Sequence, residues 1–184
     1  VKALLMGVVV WVVMRSQWRI MVNVLRFDTV AACAPWQPID DRVMGGLSSS
    51  RLRFDEAGWA VFEGVVSLQN QGGFASVRAS TRALARQGVA GYGLTVRGDG
   101  RSYKFSVRTE TSFDGMSYQA SFQPAVDSWS EITVLVASMR PTLRGQLVPR
   151  APRLQPERVC QLGWMVADGK AGPFALAIRQ VTVF

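Results

Sequence analysis

Asp40 and Asp41 are adjacent carboxylates followed at once by Arg42, and the same stretch adds Met44, Gly45-Gly46 and the serines Ser48, Ser49 and Ser50. A carboxylate pair does general acid–base work when one member stays protonated and the other ionised. In an extended segment neighbouring side chains point to opposite faces, which makes these two a poor catalytic pair. In a turn they would converge, and Arg42 would neutralise one of them. The expected arrangement is therefore a turn in which Asp40 or Asp41 is paired to Arg42. Hard cations want several oxygen ligands, and no spaced Asp ladder of the calcium-loop kind is present. No metal site, no cofactor and no catalytic residue is expected.

Gly45-Gly46 and Gly72-Gly73 raise the question of phosphate cradling. Neither pair lies in a GxGxxG or GxxxxGK[ST] pattern, so close backbone packing or a positive φ is the expected role. Ser48, Ser49 and Ser50 have no Ser-x-x-Lys partner, and the chain has no histidine. That absence excludes His-based general catalysis, His metal ligands and every Ser-His or Cys-His nucleophile. Cys33 and Cys160 form neither a CxxC redox pair nor a zinc site. They read as two thiols, with a single disulfide as the alternative.

Four motifs follow one another along the chain. Residues 36–50 run Trp-Gln-Pro-Ile-Asp-Asp-Arg-Val-Met-Gly-Gly-Leu-Ser-Ser-Ser. Gln69-Asn70-Gln71-Gly72-Gly73-Phe74-Ala75-Ser76-Val77-Arg78 is the second, and Arg97-Gly98-Asp99-Gly100-Arg101-Ser102-Tyr103-Lys104 the third. Residues 162–174, Leu-Gly-Trp-Met-Val-Ala-Asp-Gly-Lys-Ala-Gly-Pro-Phe, are the fourth. In type, order and spacing this set resembles the signature of the complex I intermediate-associated protein 30 family, as a bacterial member; the first 20 residues lie outside the resemblance. The resemblance implies a jelly-roll β-sandwich of the galactose-binding-domain-like type. It also implies a non-catalytic, chaperone-like assembly factor for respiratory complex I (NADH:ubiquinone oxidoreductase) that binds immature subunits or assembly intermediates. Candidate partner-binding residues are then the motif positions Trp36, Asp40, Asp41, Arg42, Met44, Gly45, Gly46 and Ser48, with Gly72, Gly73, Phe74 and Arg78. The later motifs add Gly98, Asp99, Gly100 and Tyr103, and Gly163, Asp168, Gly172 and Phe174.

The elements that must position these motifs read as strands. Tyr103, Phe105 and Val107 alternate with Lys104, Ser106 and Arg108, which gives a strand with one buried face. Tyr118, Ala120 and Phe122 repeat the pattern, as do Ile132, Val134 and Val136, and Leu162, Trp164 and Val166. Residues 59–68 form another strand containing Gly64. Phe174, Leu176 and Ile178 precede Val181 and Val183, so the last strand is expected to bulge near Arg179-Gln180. Gly98-Asp99-Gly100 suits a tight hairpin turn. Residues 80–87 suggest a short helix or helical turn. Residues 139–158, with four prolines and five arginines against one acid, read as a long solvated loop at the sandwich rim or as a basic contact surface. Many short strands separated by Gly, Pro and Asp define an all-β sandwich or barrel.

At 184 residues and 48% hydrophobic content the chain is expected to be one globular domain, residues 27–184, behind an apolar extension, residues 1–20. The apolar run from Ala3 to Met14 is shorter than the roughly 20 residues of a spanning helix. It lacks a small-x-small cleavage site. Translation from an upstream start, with Met21 as the natural opening, is the expectation for this segment. The net charge is +8, of which Lys2, Arg15 and Arg19 supply three. Such an excess is compatible with an anionic partner without demanding one.

Three functions from different classes follow. The first is the protein-binding assembly factor. The second is a carbohydrate-binding module, marked by Trp or Tyr rings lining an open groove. The third is an RNA- or anion-binding protein using the Arg excess. The expected compartment is the bacterial cytoplasm, or a membrane surface reached through a partner. The 40–50 loop, the 72–74 turn and the 168–174 turn are expected to lie together.

Overall fold

The computed structural model describes residues 22–184, with side chains from residue 25. The chain-order elements are β1 (Val22–Arg26), α1 (Val30–Cys33), β2 (Gln37–Pro38), β3 (Ser49–Asp55), β4 (Trp59–Val66) and β5 (Ala75–Ser80). There follow β6 (Gly91–Arg97), β7 (Tyr103–Arg108), β8 (Ser117–Phe122), β9 (Ser130–Leu135), β10 (Arg140–Leu143), β11 (Gln146–Leu147), β12 (Gln161–Val166) and β13 (Gly172–Val183). Two antiparallel sheets result. The first runs β3-β4-β13-β6-β9, with β1 also paired to β13; the second runs β11-β10-β8-β7-β12-β5-β2. This is the all-β sandwich the alternating pattern predicts.

The alternation places the core. Tyr103, Phe105 and Val107 of β7 are fully buried and turn towards the opposite sheet. Trp164 stacks against Phe105 at 5.1 Å and Phe122 at 6.2 Å between ring centroids. Phe62 of the first sheet meets Phe174 at 4.8 Å and Tyr103 at 6.4 Å, which joins the layers. The expected bulge is in β13, where its register against β6 shifts between Ile178 and Gln180. The extra residue turns Val181 and Val183 back into the core after Ile178.

Other expectations are corrected. Gly98-Asp99-Gly100 does not close a hairpin: β6 belongs to the first sheet and β7 to the second, so this turn crosses between layers. Residues 80–87 take the second of the two expected forms, a single turn closed by Ala85 N–H on Arg82 O, and not a helix. The 139–158 stretch is not a structureless loop, since it holds the β10–β11 hairpin and a 3-10 turn at Pro156–Arg158. The helix α1, capped by Thr29, is an element the sequence pattern did not signal. Strand pairing reaches back to Val22, ahead of the expected boundary at Phe27. The expectations for residues 1–20 lie outside the described residues. Cys33 and Cys160 are both buried free thiols.

Trp164→Ala should lower the unfolding free energy by about 3–5 kcal/mol, because it empties a core site packed against the Phe105 and Phe122 rings. Chemical denaturation of the variant checks this; a loss under about 1 kcal/mol would remove Trp164 from the core.

Candidate functional site: a double-carboxylate clamp at one rim

The two adjacent aspartates diverge, and neither meets Arg42. Asp40 is extended (φ −97°, ψ 175°), and Asp41 opens a 3-10 turn, Asp41–Met44. The Asp40 carboxylate accepts from the Ser50 hydroxyl at 2.6 Å, Ser50 N–H at 3.0 Å and Ser76 N–H at 2.9 Å. Ser50 lies in β3 and Ser76 in β5, so one carboxylate ties the two sheets together. The Asp41 carboxylate accepts from the Ser48 hydroxyl at 2.5 Å, Ser48 N–H at 2.9 Å, Gly73 N–H at 2.8 Å and Phe74 N–H at 3.3 Å. The expected pairing to Arg42 is thus replaced: serine hydroxyls and backbone amides satisfy both acids, and Arg42 is exposed. Among the described residues no ion pair includes Arg42, Asp40 or Asp41.

The glycines press on the carboxylate. A Cβ at Gly46 would lie 2.3 Å from Asp41 Oδ1, and one at Gly72 2.7 Å from Asp41 Oδ2. Close approach, not phosphate cradling, accounts for both Gly-Gly motifs. Asp41 is fully buried. Burial alone would raise its carboxyl pKa, but the Ser48 hydroxyl and the amides of Gly73, Ser48 and Phe74 outweigh it and hold the group below the ordinary carboxylate range.

A second latch sits on the same rim. Arg101 donates to both Asp168 oxygens at 3.0 and 2.6 Å, and to the carbonyls of Gly172 and Pro173 at 3.1 Å each. Asp99 accepts from Tyr103 OH at 2.9 Å and from Ala175 N–H at 2.8 Å. Burial and the Asp99 carboxylate push the Tyr103 phenol up. The third and fourth motifs therefore interlock. Register joins this latch to the clamp: Val65 of β4 faces Ser49 on one side and Pro173 on the other. The 40–50 loop, the 72–74 turn and the 168–174 turn share one rim, as expected.

Other candidates fall elsewhere. Trp36 is buried against Phe27 at 5.6 Å, and Phe174 is in the core. Arg78 lies on the outer face of the second sheet, opposite Gly163 of β12. What the rim offers to solvent is apolar: Val43 (61% exposed), Met44 (66%), Leu47 (56%) and Leu68 (49%). Pro38, Ile39, Asp40, Arg42, Val43 and Phe113 line a cleft of about 290 Å³ beside them. Arg101, Ser50, Ser76, Leu47 and Leu68 were absent from the sequence candidates. The i, i+2 spacing of Ser48 and Ser50 was the available signal, since it puts both hydroxyls on one side of a strand. Among the described residues no group of three or more His, Cys, Asp and Glu could hold a metal ion.

A two-sheet sandwich whose signature residues build its rim defines the class: a galactose-binding-like β-sandwich. The chain belongs to the complex I intermediate-associated protein 30 family, whose sequence model matches residues 25–178. Curated protein sequences give no match. Among solved structures it is similar to the family 11 carbohydrate-binding module of the cellulosomal cellulase Lic26A-Cel5E of Clostridium thermocellum. That similarity has a TM-score of 0.65 and 16% identity, over 89% of this chain and 94% of the module. The family 11 module from Clostridium thermocellum in complex with a β-1,3-1,4-mixed-linked tetrasaccharide gives 0.63 and 17%, with the same coverage. At these identities the likeness is one of fold.

Asp41→Asn should cost about 3 kcal/mol, because its amide nitrogen would face N–H donors. The folded pKa of Asp41 is lowered, so its stabilisation is present above the unfolded value of about 3.9 and fades as pH falls through the folded value. Urea midpoints measured from pH 6 to pH 3 should fall more steeply for the parent than for Asp41→Asn. In a double-mutant cycle, Arg101→Ala and Asp168→Ala should each cost about 3 kcal/mol, and the double variant clearly less than their sum.

Proposed function

We propose that this chain is a non-catalytic binding protein that holds a protein partner, a subunit or intermediate of respiratory complex I, during assembly. The family supports the assembly-related role. The observation that favours binding at the rim is the clamp itself. It saturates the motif's polar groups internally and leaves Arg42, Val43, Met44 and Leu47 outside. Met is an adaptable apolar contact, and Arg is enriched where binding energy concentrates. The backbone under them is fixed, so docking costs little ordering entropy. Buried carboxylates whose lone pairs are taken up by hydroxyl and amide donors are poorly placed to accept a proton from a substrate, which agrees with binding without turnover. The proposal keeps the bacterial cytoplasm as the compartment. Among the described residues no helix is long and apolar enough to cross a membrane.

The carbohydrate alternative calls for aromatic rings with free faces in a groove. The half-exposed indoles Trp59 and Trp129 instead have Arg97 and Arg179 over their rings, at 4.1 to 5.5 Å. The assembly reading is tested by affinity purification from the native organism with Arg42→Ala and Met44→Asp. Both variants should match the parent's stability within about 0.5 kcal/mol and lose complex I subunits from the eluate. Equal recovery of those subunits by the folded variants defeats the rim as the contact region. Absence of such subunits from the parent's eluate defeats the assembly role.

A further inference from the structure

The outer face of the second sheet contains two guanidiniums that, among the described residues, have no ion-pair partner. Arg78 projects from β5 and Arg108 from β7, with Gly163 and Gln161 of β12 between them. Both converge on one atom: the Phe113 carbonyl accepts from Arg78 Nη1 at 3.1 Å and from Arg108 Nη1 at 3.5 Å. Arg108 also donates to the Gly115 carbonyl, and the Phe113 ring lies 5.6 Å from the Arg78 guanidinium carbon. Gly163 leaves the floor of the face open; a Cβ there would meet Ser106 Oγ at 2.6 Å.

Among the described residues neither arginine has a carboxylate at ion-pair distance. The 109–116 loop contains two acids, Glu110 and Asp114, which favour the arginines' charge from beyond ion-pair distance; Asp114 pairs with Arg144 at 3.1 Å, and Glu110 accepts from Met116 N–H at 3.2 Å. Residues 1–21 contain no Asp or Glu, so they supply no counter-charge either. Two like charges held together under a loop repel, and neutral carbonyls answer them only in part. Burial lowers both guanidiniums, and with Arg78 beside it Arg108 is brought down to about 10.

We propose that Arg78 and Arg108 form an oxyanion site, that the 109–116 loop fills it from within, and that side-chain carboxylates of an acidic protein segment take the loop's place. The Phe113 and Gly115 carbonyls occupy the acceptor positions that the oxygens of an incoming anion would take. Guanidiniums are strong donors to carboxylate oxygens. The loop also joins the site to the rim, because Phe113 forms one wall of the cleft that Arg42 and Val43 line. A partner seated on the rim therefore touches the loop that must move. The choice of a protein carboxylate over free phosphate rests on the partner-binding reading; the oxyanion site itself does not.

The test is amide-resolved NMR of the purified chain, titrated separately with hexaglutamate and with inorganic phosphate. Hexaglutamate should shift the amides of Phe113, Gly115 and Met116 and weaken with added salt. Arg108→Gln and Arg78→Gln should each raise its Kd tenfold or more while leaving the sheet resonances in place. Phe113→Ala loosens the competing loop and should tighten peptide binding several-fold. Binding of phosphate without hexaglutamate overturns the protein carboxylate as the source and keeps the site. Silence to both probes, or equal peptide binding by the parent and the glutamine variants, overturns the site. Unchanged affinity in Phe113→Ala overturns the loop as its occupant. None of these results depends on which complex I subunits co-purify, so the two readings fail separately.

Discussion

Two carboxylates sunk side by side at one rim are the constraint on which the rest of the structure depends. A buried carboxylate without partners costs several kcal/mol, so each must be surrounded by donors. Asp40 reaches Ser50 in one sheet and Ser76 in the other, and Asp41 reaches Ser48, Gly73 and Phe74. Satisfying the acids therefore fixes how the sheets meet at this end. It also dictates the glycines, because Gly46 and Gly72 must stay small for the Asp41 oxygens to fit. The first two sequence motifs are one object: a carboxylate pair and the backbone wrapped around it.

That object determines what the surface can offer. The 3-10 turn from Asp41 to Met44 is anchored by its first side chain and closed by Gly45 at φ 89°. Val43 and Met44 are consequently presented from a backbone that has little freedom left to lose. Apolar side chains on a fixed turn retain more of their contact energy on docking than the same residues on a mobile loop. Arg101 extends the rigidity along the rim by binding Asp168 and the carbonyls that lead into β13.

The sandwich was legible because its inner faces obey period two, and because Ile178 and Val181 cannot share a face without a bulge. Gly98-Asp99-Gly100 misled because a turn motif reports the direction change and not the sheet that the next strand joins. Arg42 misled for a related reason. Adjacency in sequence suggested a salt bridge, whereas the backbone bends so that Asp41 points inward and Arg42 outward. The serines that bind the acids were visible as a Ser-rich tail, but Ser76 is far along the chain and only strand pairing brings it to Asp40. The Arg78–Arg108 pair was hidden for the same reason, since three strands must be laid in register before the two meet.

The way the acids are neutralised has a consequence for the basic residues. Hydroxyls and amides satisfy Asp40 and Asp41 by hydrogen bonds, and among the described residues these carboxylates pair with no cation. With 21 Lys and Arg against 13 Asp and Glu, every acid satisfied this way leaves one more guanidinium to be solvated or stacked. Arg97 and Arg179 resolve this by lying over Trp59 and Trp129, where the indole faces are electron-rich and the surface is open to water. Arg78 and Arg108 do not have that outlet. They are held together under a loop, with carbonyl oxygens as their closest negative partners. The same feature that makes the rim rigid, acids bound to neutral donors, goes with a positive pair on the neighbouring face that has no ion-pair partner among the described residues, and an incoming anion is the partner that would complete it.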